Sequence, residues 1–140
     1  PTLLEYGENR RRLRKKMNFP VGIDHQEFWI PNSRDMLLYH QIIKPASNKP
    51  RAIICICHGY GENTSHFPTD IAILLCKKGY GVIMLDYEGH GLSDGLHGFI
   101  PDLNIVAKDI YSFIKQQIST KHFEGLKLFL YGESMGGAIS

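Results

Sequence analysis

The stretch Leu126-Lys127-Leu128-Phe129-Leu130-Tyr131-Gly132-Glu133-Ser134-Met135-Gly136-Gly137-Ala138-Ile139-Ser140 decides the fold. Residues 126–131 are an apolar run of strand length. Gly132, Gly136 and Gly137 follow, with small or helix-tolerant residues between them, and the last residues can open a helix. A strand that turns directly into a helix over flanking glycines is the local signature of an α/β protein, because glycine is needed where strand and helix backbones pass too closely for side chains.

Working back from that point, two further runs have the same character. Residues 52–57 (AIICIC) and 81–86 (GVIMLD) are continuous apolar segments, expected to be strands buried on both faces. Between them, residues 68–78 carry Ile71, Leu74 and Leu75 at helical spacing and stop at Gly79. Residues 102–118 form an amphipathic helix opened by Pro101 and Asp102. Its apolar stripe is Leu103, Val106, Ala107, Ile110, Phe113, Ile114 and Ile118. Earlier still, 26–31 and 36–43 alternate as strands around the turn residues Asn32-Ser33-Arg34-Asp35, and residues 44–50 read as a loop. The fold class is therefore α/β: a mostly parallel sheet with helices on both faces and an amino-terminal antiparallel hairpin.

Charge divides the chain. Six of the 16 basic residues are Arg10, Arg11, Arg12, Arg14, Lys15 and Lys16, and the remaining ten face 14 acidic residues. A basic extension over 1–25 precedes a mildly acidic body over 26–140, which argues against a domain-wide nucleic-acid footprint. The basic run reads as a solvated helix or flexible lead-in, and it is also a candidate for peripheral contact with anionic lipid. No apolar run approaches the ~18 residues of a membrane span. Cys55, Cys57 and Cys76 lack metal-ligand or disulfide spacing and read as buried reduced thiols of a cytosolic protein. No metal and no organic cofactor is implied. Because the chain opens at Pro1 and closes at Ser140 inside a helical pattern, it is expected to be the amino-terminal part of a longer domain.

The pattern Gly-x-Ser-x-Gly occurs twice, at Gly91–Gly95 and at Gly132–Gly136. A nucleophilic serine needs the sharp strand-to-helix turn, which lifts its hydroxyl above the sheet and places it at a helix amino terminus. Ser134 has that context. Ser93 does not, because its strand ends near Asp86, so it reads as a loop residue fixing the turn at Gly89-His90-Gly91. An acyl-transfer site also needs backbone N–H groups aimed at the developing oxyanion. The expected donors are the N–H of Met135 and the N–H of Tyr60, in the loop His58-Gly59-Tyr60-Gly61 after the first buried strand. The Tyr60 ring either lines an acyl pocket or packs. His58 and His90 lie in glycine turns ahead of the nucleophile and are expected to hold loops. His66 and His97 are expected near the mouth, Asp86 as an anchor for the following turn, and Glu133 in a polar contact beneath the elbow.

The segments HGYGENTSHF (58–67), DYEGHGLSDG (86–95) and GESMGGAIS (132–140) together resemble the monoacylglycerol lipase and lysophospholipase group of α/β-hydrolases, over about residues 26–140. That resemblance implies part of an α/β-hydrolase fold, Ser134 as nucleophile, and Tyr60 and Met135 backbones as oxyanion hole. It implies cleavage of carboxylic esters of lipids (monoacylglycerol or lysophospholipid) through an acyl-enzyme. Glu133 also resembles plant-type members, including caffeoyl-shikimate esterase, which keeps phenolic esters open as substrates. A thioesterase, a ligand-binding protein of the same fold and a non-catalytic truncated form remain alternatives. The catalytic acid and histidine of such enzymes follow the nucleophile in the chain, so residues 1–140 alone are expected to be inactive.

Overall fold

The computed structural model describes residues 2–140, with Leu3 and Leu4 described in their backbone only. In chain order the elements are α1 (Leu3–Arg12), β1 (Ile23–Pro31), β2 (Leu37–Pro45), β3 (Ile53–Cys57), α2 (Phe67–Lys77), β4 (Gly81–Leu85), α3 (Leu103–Ile118), β5 (Leu128–Gly132) and α4 (Met135–Ile139). The strands form one sheet in the order β1-β2-β4-β3-β5. β1 pairs antiparallel with β2, and β2 pairs antiparallel with β4. β3 runs parallel to both β4 and β5, with Cys57 opposite Gly132. The expected architecture is therefore present, hairpin included.

Two apolar layers cover the sheet. On one face α3 buries Val106, Ile110, Phe113 and Ile114 against Leu38, Ile53, Cys55 and Ile83. On the other, α2 buries Ala72 and Cys76 against Ile43, Ile56, Val82 and Met84. Alternate strand residues point to opposite faces, so neighbours such as Val82 and Ile83 serve different layers. Asp102 caps α3 by accepting a hydrogen bond from the Asn104 N–H at 2.8 Å.

Several details differ from the sequence reading. β1 begins at Ile23, so the expected boundary at 25/26 falls inside a strand, and β2 continues to Pro45 into the expected loop. On α2 the buried positions are Pro68, Thr69, Ala72 and Cys76, while Leu74 faces out at 64% exposure. On α3, Leu103 and Ile118 are exposed at the two ends of the stripe, where the helix overhangs its layer. β5 was expected to be fully buried; instead Phe129, Leu130 and Tyr131 are 43–54% exposed. Among the described residues it pairs with β3 alone, so one flank of each side chain is uncovered there.

The largest correction concerns the basic extension, which is not a free lead-in. α1 carries a capping box at its start, in which Thr2 accepts from the Glu5 N–H and Glu5 accepts from the Thr2 N–H. Its far end docks on the 91–95 loop. Arg10 donates to the carbonyls of Gly91 (2.8 Å), Gly95 (3.1 Å) and Ser93, and Arg11 pairs with Asp94 at 2.8 Å. Arg14 makes a bidentate pair with Glu27 at 2.6 and 2.7 Å.

Candidate active site

β3, β4 and β5 all end at the same edge of the sheet, where open α/β sheets place their sites. The loops 58–66 and 86–101 and the turn into α4 leave from that edge. Ser134 stands between β5 and α4 with φ 52° and ψ −120°, in the left-handed half of backbone space that non-glycine residues rarely occupy. Close packing enforces that conformation. A methyl group at Gly132 would lie 2.5 Å from the Gly136 carbonyl oxygen. The Ser134 side chain is exposed and makes no hydrogen bond among the described residues.

The loop after β3 lies against this turn. A methyl group at Gly59 would sit 3.5 Å from Ser134 Cβ and 3.6 Å from the Glu133 carbonyl, in ordinary van der Waals contact, so this loop lies directly beside the serine. The Glu133 N–H donates to the Cys57 carbonyl at 3.2 Å, continuing the β3–β5 ladder into the elbow. Neither the Tyr60 N–H nor the Met135 N–H has a hydrogen-bond acceptor among the described residues. The structure thus brings the predicted serine and the two predicted loops to one place, with those two amides uncommitted. Glu133 itself is exposed, and its carboxylate has no partner among the described residues, so the expected contact beneath the elbow is absent.

Several buried polar groups fix the loops. His58 is 1% exposed and stacks on Tyr87 with ring centroids 3.8 Å apart. Its Nδ1 faces the Gly59 carbonyl at 2.8 Å, and a carbonyl only accepts, so Nδ1 carries the hydrogen. Nε2 then accepts from the Tyr87 N–H at 3.3 Å. Both ring nitrogens are occupied, and burial pushes the imidazole down to about 4. His58 therefore holds its loop and has no free nitrogen to act as a base.

Asp86 is fully buried. It accepts from the Thr64 N–H at 2.7 Å and the Leu92 N–H at 2.9 Å, which binds the 59–66 loop to the 86–95 loop. Desolvation raises its pKa, against the lowering effect of those two donors. Gln41 extends the network, donating to Thr64 Oγ1 at 2.7 Å and meeting His25 at 2.8 Å. Ser93, 0% exposed, donates to the Asp86 carbonyl at 2.6 Å and accepts from the Tyr39 N–H at 2.8 Å. Its hydroxyl is a structural clamp. The Tyr60 ring is 62% exposed and its hydroxyl donates to the Gly98 carbonyl at 2.7 Å, so it bridges the two loops across the mouth.

Sequence reasoning missed the clamp formed by Arg10 and Arg11. Its acceptors are mostly main-chain carbonyls more than 80 positions away, which leave no trace in the pattern of residue types. His66 and His97 line a cleft with Tyr60, as expected for residues near the mouth. All three cysteines are buried and free. Among the described residues there is no His/Cys/Asp/Glu group that could hold a metal, and no helix long and apolar enough to cross a membrane.

Comparison with known proteins shows the family and the fold. Residues 48–140 match the family described as serine aminopeptidase, S33. The caffeoylshikimate esterase of Arabidopsis thaliana is 33% identical over 113 residues, covering 81% of this chain and 33% of that protein. The monoglyceride lipase of Homo sapiens is 30% identical over 122 residues, covering 86% of this chain and 39% of the relative. Acetyl xylan esterase 1 from Thermoanaerobacterium sp. JW/SL YS485 superposes with a TM-score of 0.73 at 17% identity, over 99% of this chain and 52% of its own, a likeness of fold. The chain spans between a third and two-fifths of the length of these two curated relatives.

Proposed function

The chain belongs to the serine aminopeptidase S33 family of α/β-hydrolases, and from that premise we propose that it supplies the nucleophile half of a serine hydrolase cleaving carboxylic esters of lipids. The observation that carries the reading is Ser134, exposed at φ 52° on the turn between β5 and α4. In the proposed reaction the Ser134 hydroxyl attacks the ester carbonyl carbon. Its proton passes to a histidine from the remainder of the protein, and the tetrahedral oxyanion is held by the N–H groups of Tyr60 and Met135. The alcohol leaves with that proton, and water then hydrolyses the acyl-enzyme. The two amides suit the role because neither has an acceptor among the described residues, Met135 follows Ser134 in the chain and Tyr60 follows Gly59, which lies beside it. Losing one such donor typically costs about 3–4 kcal/mol of transition-state stabilisation.

Monoacylglycerols and lysophospholipids are the proposed substrates, supported by the similarity to monoglyceride lipase. A second reading, a phenolic-ester esterase using the same residues, is supported by the similarity to caffeoylshikimate esterase.

The test is to treat the full-length protein with a fluorophosphonate probe and map the adduct. Labelling at Ser134, abolished in Ser134→Ala, is the expected result. Labelling that persists in Ser134→Ala sinks the nucleophile assignment, and an unlabelled wild type favours a binding protein of the same fold. Turnover of monoacylglycerols, lysophospholipids and phenolic esters then decides the substrate class.

A further inference from the structure

A cleft of about 940 Å³ lies between the segment that follows α1 and the loops carrying Tyr60 and His90. Four cationic side chains line it: Arg10, Arg14, Lys15 and Lys16. The one acid among its lining residues is Glu62. Two of the cations are already committed, Arg10 to the carbonyls of the 91–95 loop and Arg14 to Glu27. Lys15 and Lys16 form no ion pair or hydrogen bond among the described residues, so their charge is available to whatever enters. A recess lined predominantly by one sign of charge concentrates the opposite sign.

A second observation points to a ligand. His90 lines the same cleft and is 2% exposed, yet its Nε2 has no hydrogen-bond partner among the described residues. Its Nδ1 faces the Glu88 carbonyl at 3.0 Å and must carry the ring hydrogen, which leaves Nε2 as a bare acceptor. An acceptor buried without a donor calls for one, and a ligand hydroxyl is such a donor. The cleft adjoins the loop beside the elbow: Tyr60 lines it, and the preceding Gly59 faces Ser134, which itself stands outside the lining.

From the free lysine pair and the orphaned histidine acceptor, we propose that this cleft receives the alcohol part of an ester bearing an anionic group and a free hydroxyl, the chemistry of a glycerophosphate head group. Lys15 and Lys16 meet the phosphate and His90 Nε2 accepts the hydroxyl. The apolar side chains of Leu13 and Met17 line the same space and suit an amphiphile. The inference rests on the reading of Ser134 as nucleophile and narrows its substrate.

The experiment uses the full-length protein and short-chain esters kept monomeric in solution, 1-hexanoyl-glycerol 3-phosphate and 1-hexanoyl-glycerol. The expected result is a kcat/KM about tenfold higher for the phosphate ester, carried by KM, with the ratio collapsing in Lys15→Glu/Lys16→Glu. Arg12→Glu, an exposed charge outside the cleft, should leave the ratio as it is. Equal turnover of the two esters by the wild type, or an equal collapse in Arg12→Glu, overturns the proposal. A preference that appears only with anionic vesicles also overturns it, placing the lysines at a membrane surface instead. In a parallel arm, glycerol 3-phosphate and inorganic phosphate are titrated calorimetrically into the Ser134→Ala protein. Binding of glycerol 3-phosphate that is lost with the lysines supports the site. Phosphate binding at least as tightly removes the role of the hydroxyl and of His90. Absence of any ester turnover defeats the nucleophile reading alone, since the calorimetric arm needs no chemistry.

Discussion

Gly136 in α4 packs directly onto the carbonyl of Cys57 at the end of β3: a methyl group added at Gly136 would lie 2.0 Å from that oxygen. Both partners are main chain, so neither can rotate away. Gly136→Ala must therefore push α4 off the sheet and change the Ser134 backbone. The expected outcome is loss of fluorophosphonate labelling together with a stability loss of about 1–3 kcal/mol or more. Thermal unfolding and probe labelling of the full-length variant check both. Labelling at the wild-type rate would mean that the elbow tolerates displacement.

Asp86 joins the two loops that flank the site, accepting from the amides of Thr64 and Leu92. Asp86→Ala leaves both donors buried and unpaired, and it should cost about 2–4 kcal/mol. Asp86→Asn keeps one acceptor oxygen and should cost less. Urea unfolding ranks the three proteins, and a ranking with Asn worse than Ala would contradict this account.

Arg10 donates to three carbonyls of the 91–95 loop, which tie α1 to the body. Arg10→Ala should lose about 1–3 kcal/mol, since hydrogen bonds from charged donors are stronger than neutral ones. Amide hydrogen exchange should rise in residues 91–95 and in α1 together. Exchange that rises in α1 alone would show that the loop keeps its shape without the clamp.

His40 and His58 are both held near about 4 by burial, against an ordinary value of 6.5. They stay neutral in the folded protein, whereas the unfolded chain binds protons as pH falls below 6.5. Their contribution to stability is thus complete above pH 6.5 and is lost as pH drops toward 4, on the order of a few kcal/mol for the pair. Among the described residues His40 makes no polar contact through Nδ1, and it packs on Phe28 and Phe113. His40→Leu should therefore flatten the pH dependence of the unfolding free energy between 4 and 6.5. An unchanged slope would remove His40 from the titration.

Much of this molecule could be read from residue order because its signals are local. The runs at 52–57, 81–86 and 126–131 became β3, β4 and β5 within two residues at each end. Burial on both faces demands unbroken apolar sequence, and a parallel register demands helices between the strands. The elbow was legible for the same reason: a strand, spaced glycines and a helix start are contiguous. Context also separated Ser134 from Ser93, and the structure places Ser93 wholly inside, with its hydroxyl occupied.

Sequence by itself determined the order of elements and the position of the tight turn at Ser134, since backbone conformation there follows from which neighbours lack a side chain. Only the tertiary structure decided what those elements meet. The docking of Arg10 and Arg11 on the 91–95 loop depends on groups more than 80 residues away. Many of those groups are main-chain carbonyls, which every residue carries alike. A pattern of side-chain types records its own periodicity, but it does not record which carbonyl a distant guanidinium will find.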